Sequence, residues 1–171
     1  YAVFAFADPY FEAALAGHVT TQFLWTLLTH AFLHGGWLHF GLNAAALLGL
    51  GHAITSVAGI RATLAIFVVT AVAGALCFAL ITDFRGPMVG ASGVVFGFLG
   101  TVTAWQERAL RLAGQSRQEV WNRILGLVLI NVALNYGLGG ALAWEAHLGG
   151  FIGGWMMAYR YPPALGRRAP A

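Results

Sequence analysis

The sequence predicts an all-α fold, a polytopic bundle of membrane helices in a single domain. Three observations carry that prediction. The 171 residues are 59% hydrophobic and only 9% charged, with a mean hydropathy of +0.74. A soluble domain of this length could not cover its surface with so few charges, so the bilayer is the solvent that fits. The apolar residues fall into five segments, marked off by charge, glycine or proline. The charges collect at the ends of those segments rather than inside them.

Taken in chain order, residues 1–7, YAVFAFA, read as the remnant of a further membrane helix. Residues 8–35 carry Asp8, Pro9, Glu12 and His18, which forbid a span, so a partly helical outer loop lying at the membrane surface is expected. The first apolar segment runs from Trp37 to Val57 and the second from Ala62 to Ile81. The second is the plainest, since about 20 residues at ~1.5 Å rise cover the ~30 Å of a hydrocarbon core. The third runs from Ser92 to Trp105, the fourth from Ile124 to Leu138 and the fifth from Trp144 to Tyr159. Between the third and fourth, ERALRLAGQSRQEVWNR (107–123) reads as a loop or interfacial turn outside the hydrocarbon. The membrane domain, 1–160, is followed by a basic, proline-rich tail, 161–171, expected to be poorly ordered. No basic region followed by a cleavage site is seen at the start, so no intact signal peptide is read.

Charge and cysteine narrow the function classes. The single cysteine, Cys77, provides neither a disulfide framework nor a metal-type spacing. All nine basic residues are arginines, placed at segment ends rather than in a patch, which argues for topology determinants and against nucleic-acid binding. If the five segments alternate, Arg61, Arg108, Arg111, Arg117, Arg123, Arg160, Arg167 and Arg168 share one side and only Arg85 lies on the other. That bias makes the arginine side, with loop 107–123 and the tail, cytoplasmic. Trp25, Trp37, Trp105, Trp121 and Trp144 near span ends read as interface anchors.

Alternation has a chemical consequence. The first, third and fifth segments begin at the same outer level, and their starts hold the reactive side chains. His39 and Asn43 share a helix face at i and i+4; Ser92 opens the third segment, and His147 sits in the first turn of the fifth. Nucleophile, base and oxyanion donors are the inventory of acyl transfer. The apolar third segment is only about 22 Å long at ~1.5 Å rise, so Ser92 is expected below the outer surface, with GPMVGA dipping in. Backbone at that depth must be buried in protein or line a wet cavity, and a wet cavity supplies water for hydrolysis. Gly93 and Gly97, facing Gly149/Gly153 and Gly150/Gly154, form small-residue faces that would bring Ser92 and His147 within hydrogen-bond reach.

Plainer readings stand beside these. Ser92 alone would be a helix cap, and the glycines alone would serve packing. His30 and His34, at i and i+4, could suit a metal or haem; hydrogen bonding of the loop is preferred, because no carboxylate or second histidine pair accompanies them. His18 and His52 are treated as incidental. Asn131 and Asn135 share a face and are assigned to interhelical hydrogen bonding. No acid has an evident route to His147, Glu145 being on a different face, which favours a dyad over a triad. Phe96, one turn below Ser92, would stack on the His147 ring.

Three runs carry a family resemblance: THAFLHGGWLHFGLN (29–43), GASGVVFGFLG (90–100) and AHLGGFIGG (146–154). In residues, order and helix position they resemble the signature blocks of the rhomboid family of intramembrane serine proteases, over roughly residues 20–160. The resemblance implies Ser92 as nucleophile and His147 as base, with His39, Asn43 and the Ser92 backbone N–H as the oxyanion hole. It places Gly90, Gly93, Gly150 and Phe96 in support. It implies no cofactor and no metal, membrane-protein substrates with a transmembrane helix, and a multi-pass protein of the bacterial inner membrane; oligomeric state stays open. The chain departs from the pattern in three ways. Phe96 stands where many members carry tyrosine. The bacterial core has six helices against five and a stub here, which favours a trimmed domain. The Trp-Arg pair that many members carry in the first outer loop is absent, so that loop is given no catalytic role. A non-enzymatic rhomboid-like binder, and a transporter or haem protein, are the rival classes.

Overall fold

The computed structural model of the protein describes residues 3–82, 86–137, 139, 140 and 142–163. Tyr1, Asp83, Arg85, Leu138, Arg167, Arg168 and most of the 161–171 tail lie outside the described residues. Among the described residues the chain forms α1 (Asp8–Leu15), α2 (Thr21–Thr29), a 3-10 turn (His30–Phe32), α3 (Trp37–Ala58), α4 (Ile60–Ile81), α5 (Ser92–Leu112), α6 (Gln118–Gly137) and α7 (Trp144–Arg160).

Local chemistry sets these boundaries. Pro9 starts α1, where a missing N–H costs nothing. Thr20 caps α2, its Oγ1 accepting from Phe23 N at 3.2 Å. Gly59, at φ +83°, ends α3 and starts α4, reversing the chain at one residue. Both helices are long and apolar enough to cross a membrane. Each has 22 residues, with both ends within two residues of the segments read from the sequence.

Several sequence expectations need correction. The third segment does not stop near Trp105: α5 continues through Leu112, and α6 starts at Gln118, so 107–123 is two helix ends around a short turn. Charge does not end a helix when it is paired. Buried Glu107 accepts from Arg117 Nη1 at 2.9 Å and lies 3.9 Å from Arg111 Nε. Helix length therefore does not set the depth of Ser92; only the apolar part of α5 is short. Trp105, at the end of that part, is no interface anchor. It is buried, and its Nε1–H is shared by the carbonyls of Ala158 at 3.2 Å and Tyr161 at 3.0 Å.

Residues 3–6 are not helical. Phe6 and Met88 exchange backbone hydrogen bonds at 3.2 and 2.7 Å. Trp25 Nε1 donates to Val3 O at 3.0 Å, and Thr29 Oγ1 donates to Phe4 O at 2.8 Å. Those carbonyls, which a helix would satisfy internally, are satisfied by α2 side chains instead. Phe6 is fully buried, with its ring against Phe23 and Phe78. Nor does the whole 8–35 segment lie flat at a surface. His30 Nε2 reaches Ala71 O at 3.3 Å, about halfway along α4.

The core forms where α7 is wedged between α4 and α5. Gly150 and Gly154 lie on the Gly93 and Gly97 carbonyls of α5, and Gly149 lies on Ala73 O and Cys77 of α4. A Cβ at any of these three would overlap its neighbour, so only glycine permits this approach. Ser92 meets His147 at one end of α5 and α7, and Trp105 meets Ala158 at the other, so the two run parallel. Thr101 Oγ1 ties them midway through Gly154 O at 2.9 Å. Helix α4 runs the other way, with Gly74 at Ala146 and Thr70 near Gly153. Outward faces are apolar, with Leu38, Leu42 and Leu48 of α3 and Leu125, Leu129 and Ile130 of α6 exposed. That surface suits hydrocarbon rather than water.

Candidate active site

Ser92 is the first residue of α5, so its backbone N–H is among those that an α-helix leaves without an internal partner. The approach to it is fixed by residues 86–91. Met88 is held by Phe6, and Gly90 N donates to His30 O at 3.0 Å. Gly90 adopts φ +126°, a conformation that L side chains rarely take. A Cβ there would stand 2.8 Å from His39 Cε1, 2.9 Å from His39 Nε2 and 3.9 Å from Ser92 Oγ. The His39 ring thus lies against the Gly90 turn beside the serine hydroxyl. Its Nδ1 accepts from Gly35 N at 3.4 Å.

His147 is carried to the same level by the glycine contact one turn further along α7. Its Nε2 lies 2.8 Å from Ser92 Oγ, and its Nδ1 lies 2.6 Å from Asn131 Oδ1 on α6. Phe96 is stacked on its ring, with centroids 4.3 Å apart and planes 5° from parallel. An amide oxygen only accepts, so with that amide orientation Nδ1 carries the proton and Nε2 presents its lone pair to the serine O–H. The imidazole is buried, at 6% exposure.

The other expected site residues are placed less uniformly. Asn43 is buried, and its Nδ2 donates to His39 O at 2.9 Å within α3. An amide nitrogen has a second N–H, which this bond leaves free. A cavity of about 300 Å³ is lined by His39, Met88, Ser92, Glu145 and His147 among others. Asn43 is not among its lining residues. Glu145 is, but both His147 nitrogens are bonded elsewhere, to Ser92 and Asn131. On the other side of the imidazole an apolar cavity of about 760 Å³ separates α6 from α7, lined by Phe96, Leu127, Asn131, Val132, Leu148 and Phe151 among others.

His30 is spent on the fold through Ala71 O, and burial pushes its pKa down to about 4. His34 lies edge-on to His39, with centroids 5.1 Å apart. Among the described residues no cluster of three His, Cys, Asp or Glu side chains could hold a metal ion. The interhelical hydrogen bond expected of Asn131 is present, but its partner is His147, which makes Asn131 a site residue that the sequence did not single out. Its signal was there, an amide within an apolar stretch, but helical periodicity gives a face and not the neighbour that the face meets.

Three helix starts converge on a serine hydroxyl bonded to an imidazole, beside an unpartnered helix N-terminus and a second histidine. That is the order of parts a serine-nucleophile hydrolase requires. The family model of the Rhomboid domain matches residues 21–163. The chain belongs to the rhomboid family. As a rhomboid it is an integral membrane protein, in keeping with its leucine-rich outer surface. It is similar to the rhomboid protease GluP of Bacillus subtilis (strain 168), 30% identical over 138 residues that make up 78% of this chain and 25% of the relative. RHOMBOID-like protein 5 of Arabidopsis thaliana is 30% identical over 144 residues, 79% of this chain and 43% of that one. Rhomboid-like protease 5 of Toxoplasma gondii is 29% identical over 130 residues, 75% and 15% of the two chains. This rhomboid chain therefore spans less than half the length of each of these relatives.

Proposed function

We propose that the protein is an intramembrane serine endopeptidase that cleaves a transmembrane helix of another membrane protein by a Ser92–His147 dyad. The observation that carries this is the 2.8 Å contact between Ser92 Oγ and His147 Nε2, in a family that includes proteins named as proteases. In this reading α3 to α7 span the bilayer, with the site towards the outer face and the arginine-bearing ends, including Arg61, Arg108, Arg111, Arg117, Arg123 and Arg160, in the cytoplasm of a bacterial cell. Residues 8–35 form the outer loop.

The chemistry follows from the geometry. His147 Nε2 takes the Ser92 proton as Oγ attacks a peptide carbonyl, then gives it to the leaving amine. Water, admitted through the 300 Å³ cavity that Ser92 and His147 both line, releases the acyl-enzyme. The oxyanion is held by the Ser92 N–H at the α5 start, where the helix dipole favours negative charge, and by His39 and the free N–H of Asn43. Phe96 fixes the plane of the imidazole. A substrate helix must unwind locally to expose its carbonyl, so small or helix-weakening residues are expected around the cleaved bond.

A fluorophosphonate probe tests the nucleophile. Label on Ser92 that disappears in Ser92→Ala and in His147→Ala supports the reading. Wild-type protein that takes no label, while a serine hydrolase beside it does, opposes it.

A further inference from the structure

We infer that Asn131 of α6 is a positioning residue for His147, orienting the base of the Ser92–His147 dyad from a third helix. The inference rests on the proposed protease reading and extends it to a residue outside the three signature runs.

The geometry is specific. Asn131 Oδ1 stands 2.6 Å from His147 Nδ1, on the ring edge opposite the nitrogen that contacts Ser92. Asn131 is itself anchored, because its Nδ2 donates to Leu127 O at 2.9 Å in its own helix. That anchor settles which amide atom faces the imidazole: the nitrogen is committed to a carbonyl, so the oxygen is left to accept from Nδ1–H. A fixed acceptor at Nδ1 selects one tautomer, and only that tautomer leaves Nε2 unprotonated to receive the serine proton. The surroundings sharpen the effect. Asn131 and His147 both line the apolar 760 Å³ cavity, whose other lining is mostly Ile, Leu, Val and aromatic side chains. Asn135, one turn further along, lines this cavity and the smaller one at Ser92, but its Oδ1 makes no hydrogen bond.

Helix α6 gives the bond a second consequence. Val120 is its one buried residue among those described, and the apolar cavity lies between the rest of α6 and α7. The Asn131–His147 bond is a polar tie across that gap, so the orientation of the base depends on α6 standing close to α7. Phe96 fixes the ring plane from α5 and Asn131 fixes the rotation within that plane; neither does both.

The test compares Asn131→Leu, Asn131→Asp and Asn135→Leu in detergent, following the second-order rate of Ser92 labelling by a fluorophosphonate across pH, with thermal unfolding alongside. Labelling reports the nucleophile without requiring a substrate helix to enter. Leucine keeps the branched heavy-atom shape of Asn131 and removes the acceptor. The expected loss is about 3- to 10-fold at neutral pH, the worth of one net hydrogen bond, while Asn135→Leu stays within about twofold of wild type. Asn131→Asp places a carboxylate on Nδ1 and favours the imidazolium, so its acid limb moves to higher pH by about one unit or more while labelling at high pH is retained. Asn131→Leu labelling at the wild-type rate overturns the inference. So does an Asn131→Asp profile that superimposes on wild type, which keeps the test decisive should the leucine variant fail to fold. Wild-type protein that does not label at Ser92 counts instead against the protease reading itself.

Discussion

Gly90→Ala separates a backbone cost from a chemical one at the edge of the site. Gly90 holds φ +126°, and a Cβ there would stand 2.8 Å from His39 Cε1, about 0.6 Å inside the 3.4 Å at which ordinary contact begins. The backbone strain is worth about 1–3 kcal/mol of stability. The His39 ring, being the end of a side chain, can move by the missing 0.6 Å, but it then leaves the position where it would meet the developing oxyanion. Full removal of one oxyanion donor costs about 10²–10³ in kcat, and displacements approaching 1 Å can cost about 10²-fold, so about 10-fold is expected here. The assay is kcat and KM for cleavage of a transmembrane substrate in proteoliposomes, with thermal unfolding in parallel. KM should change little, since the contact matters in the transition state. A cycle with His39→Ala isolates the steric part: in that background Gly90→Ala should still destabilise the fold yet cost no further kcat. If Gly90→Ala has wild-type kcat while His39→Ala is impaired, the ring does not depend on the Gly90 turn and the reasoning fails. Equal kcat losses in both backgrounds would refute it as well.

Two further outcomes follow from neighbouring residues. Phe96→Ala removes the ring stacked at 4.3 Å on His147 and should lower kcat by about 2- to 12-fold, the kinetic equivalent of ~0.5–1.5 kcal/mol of aromatic contact, whereas Phe96→Tyr should match wild type; equal activity for alanine and tyrosine would show that the stack does not orient the base. His30 is held to about 4, from an ordinary 6.5, by burial, so the folded state resists its protonation. The stability this gives is complete above pH 6.5 and is lost as pH falls towards 4, by up to about 3 kcal/mol. Thermal unfolding should drop across that window in wild type and drop less in His30→Gln; identical pH dependence in the two would place the titration elsewhere.

Much of the fold was legible because a bilayer writes simple rules. An apolar length and a flanking charge located α3 and α4 to within a few residues, and glycines four apart on α5 and α7 pointed to a close approach that the structure shows at Gly150 and Gly154. The family named from three short runs is the one that the comparison finds. What was not legible depended on partners far away in sequence. Read from charge alone, α5 ends at Trp105, yet Glu107 is paired with Arg117 and the helix runs on. Residues 3–6 read as helix from their apolar character alone, while their hydrogen bonds go to Met88 and to side chains of α2. The pattern of α6 showed a polar face at Asn131 and Asn135, but not that only the first of them would meet His147.

The central claim is that Ser92, activated by His147, cuts a peptide bond within a membrane. Purified protein reconstituted with a single-span substrate whose helix carries small residues near its outer end measures this directly, with the products mapped by mass spectrometry. One cut near the outer end of that helix is expected from wild type, and none from Ser92→Ala or His147→Ala at matched folding. Cleavage that persists in Ser92→Ala would contradict it, as would a labelled, folded wild type that leaves every such substrate intact.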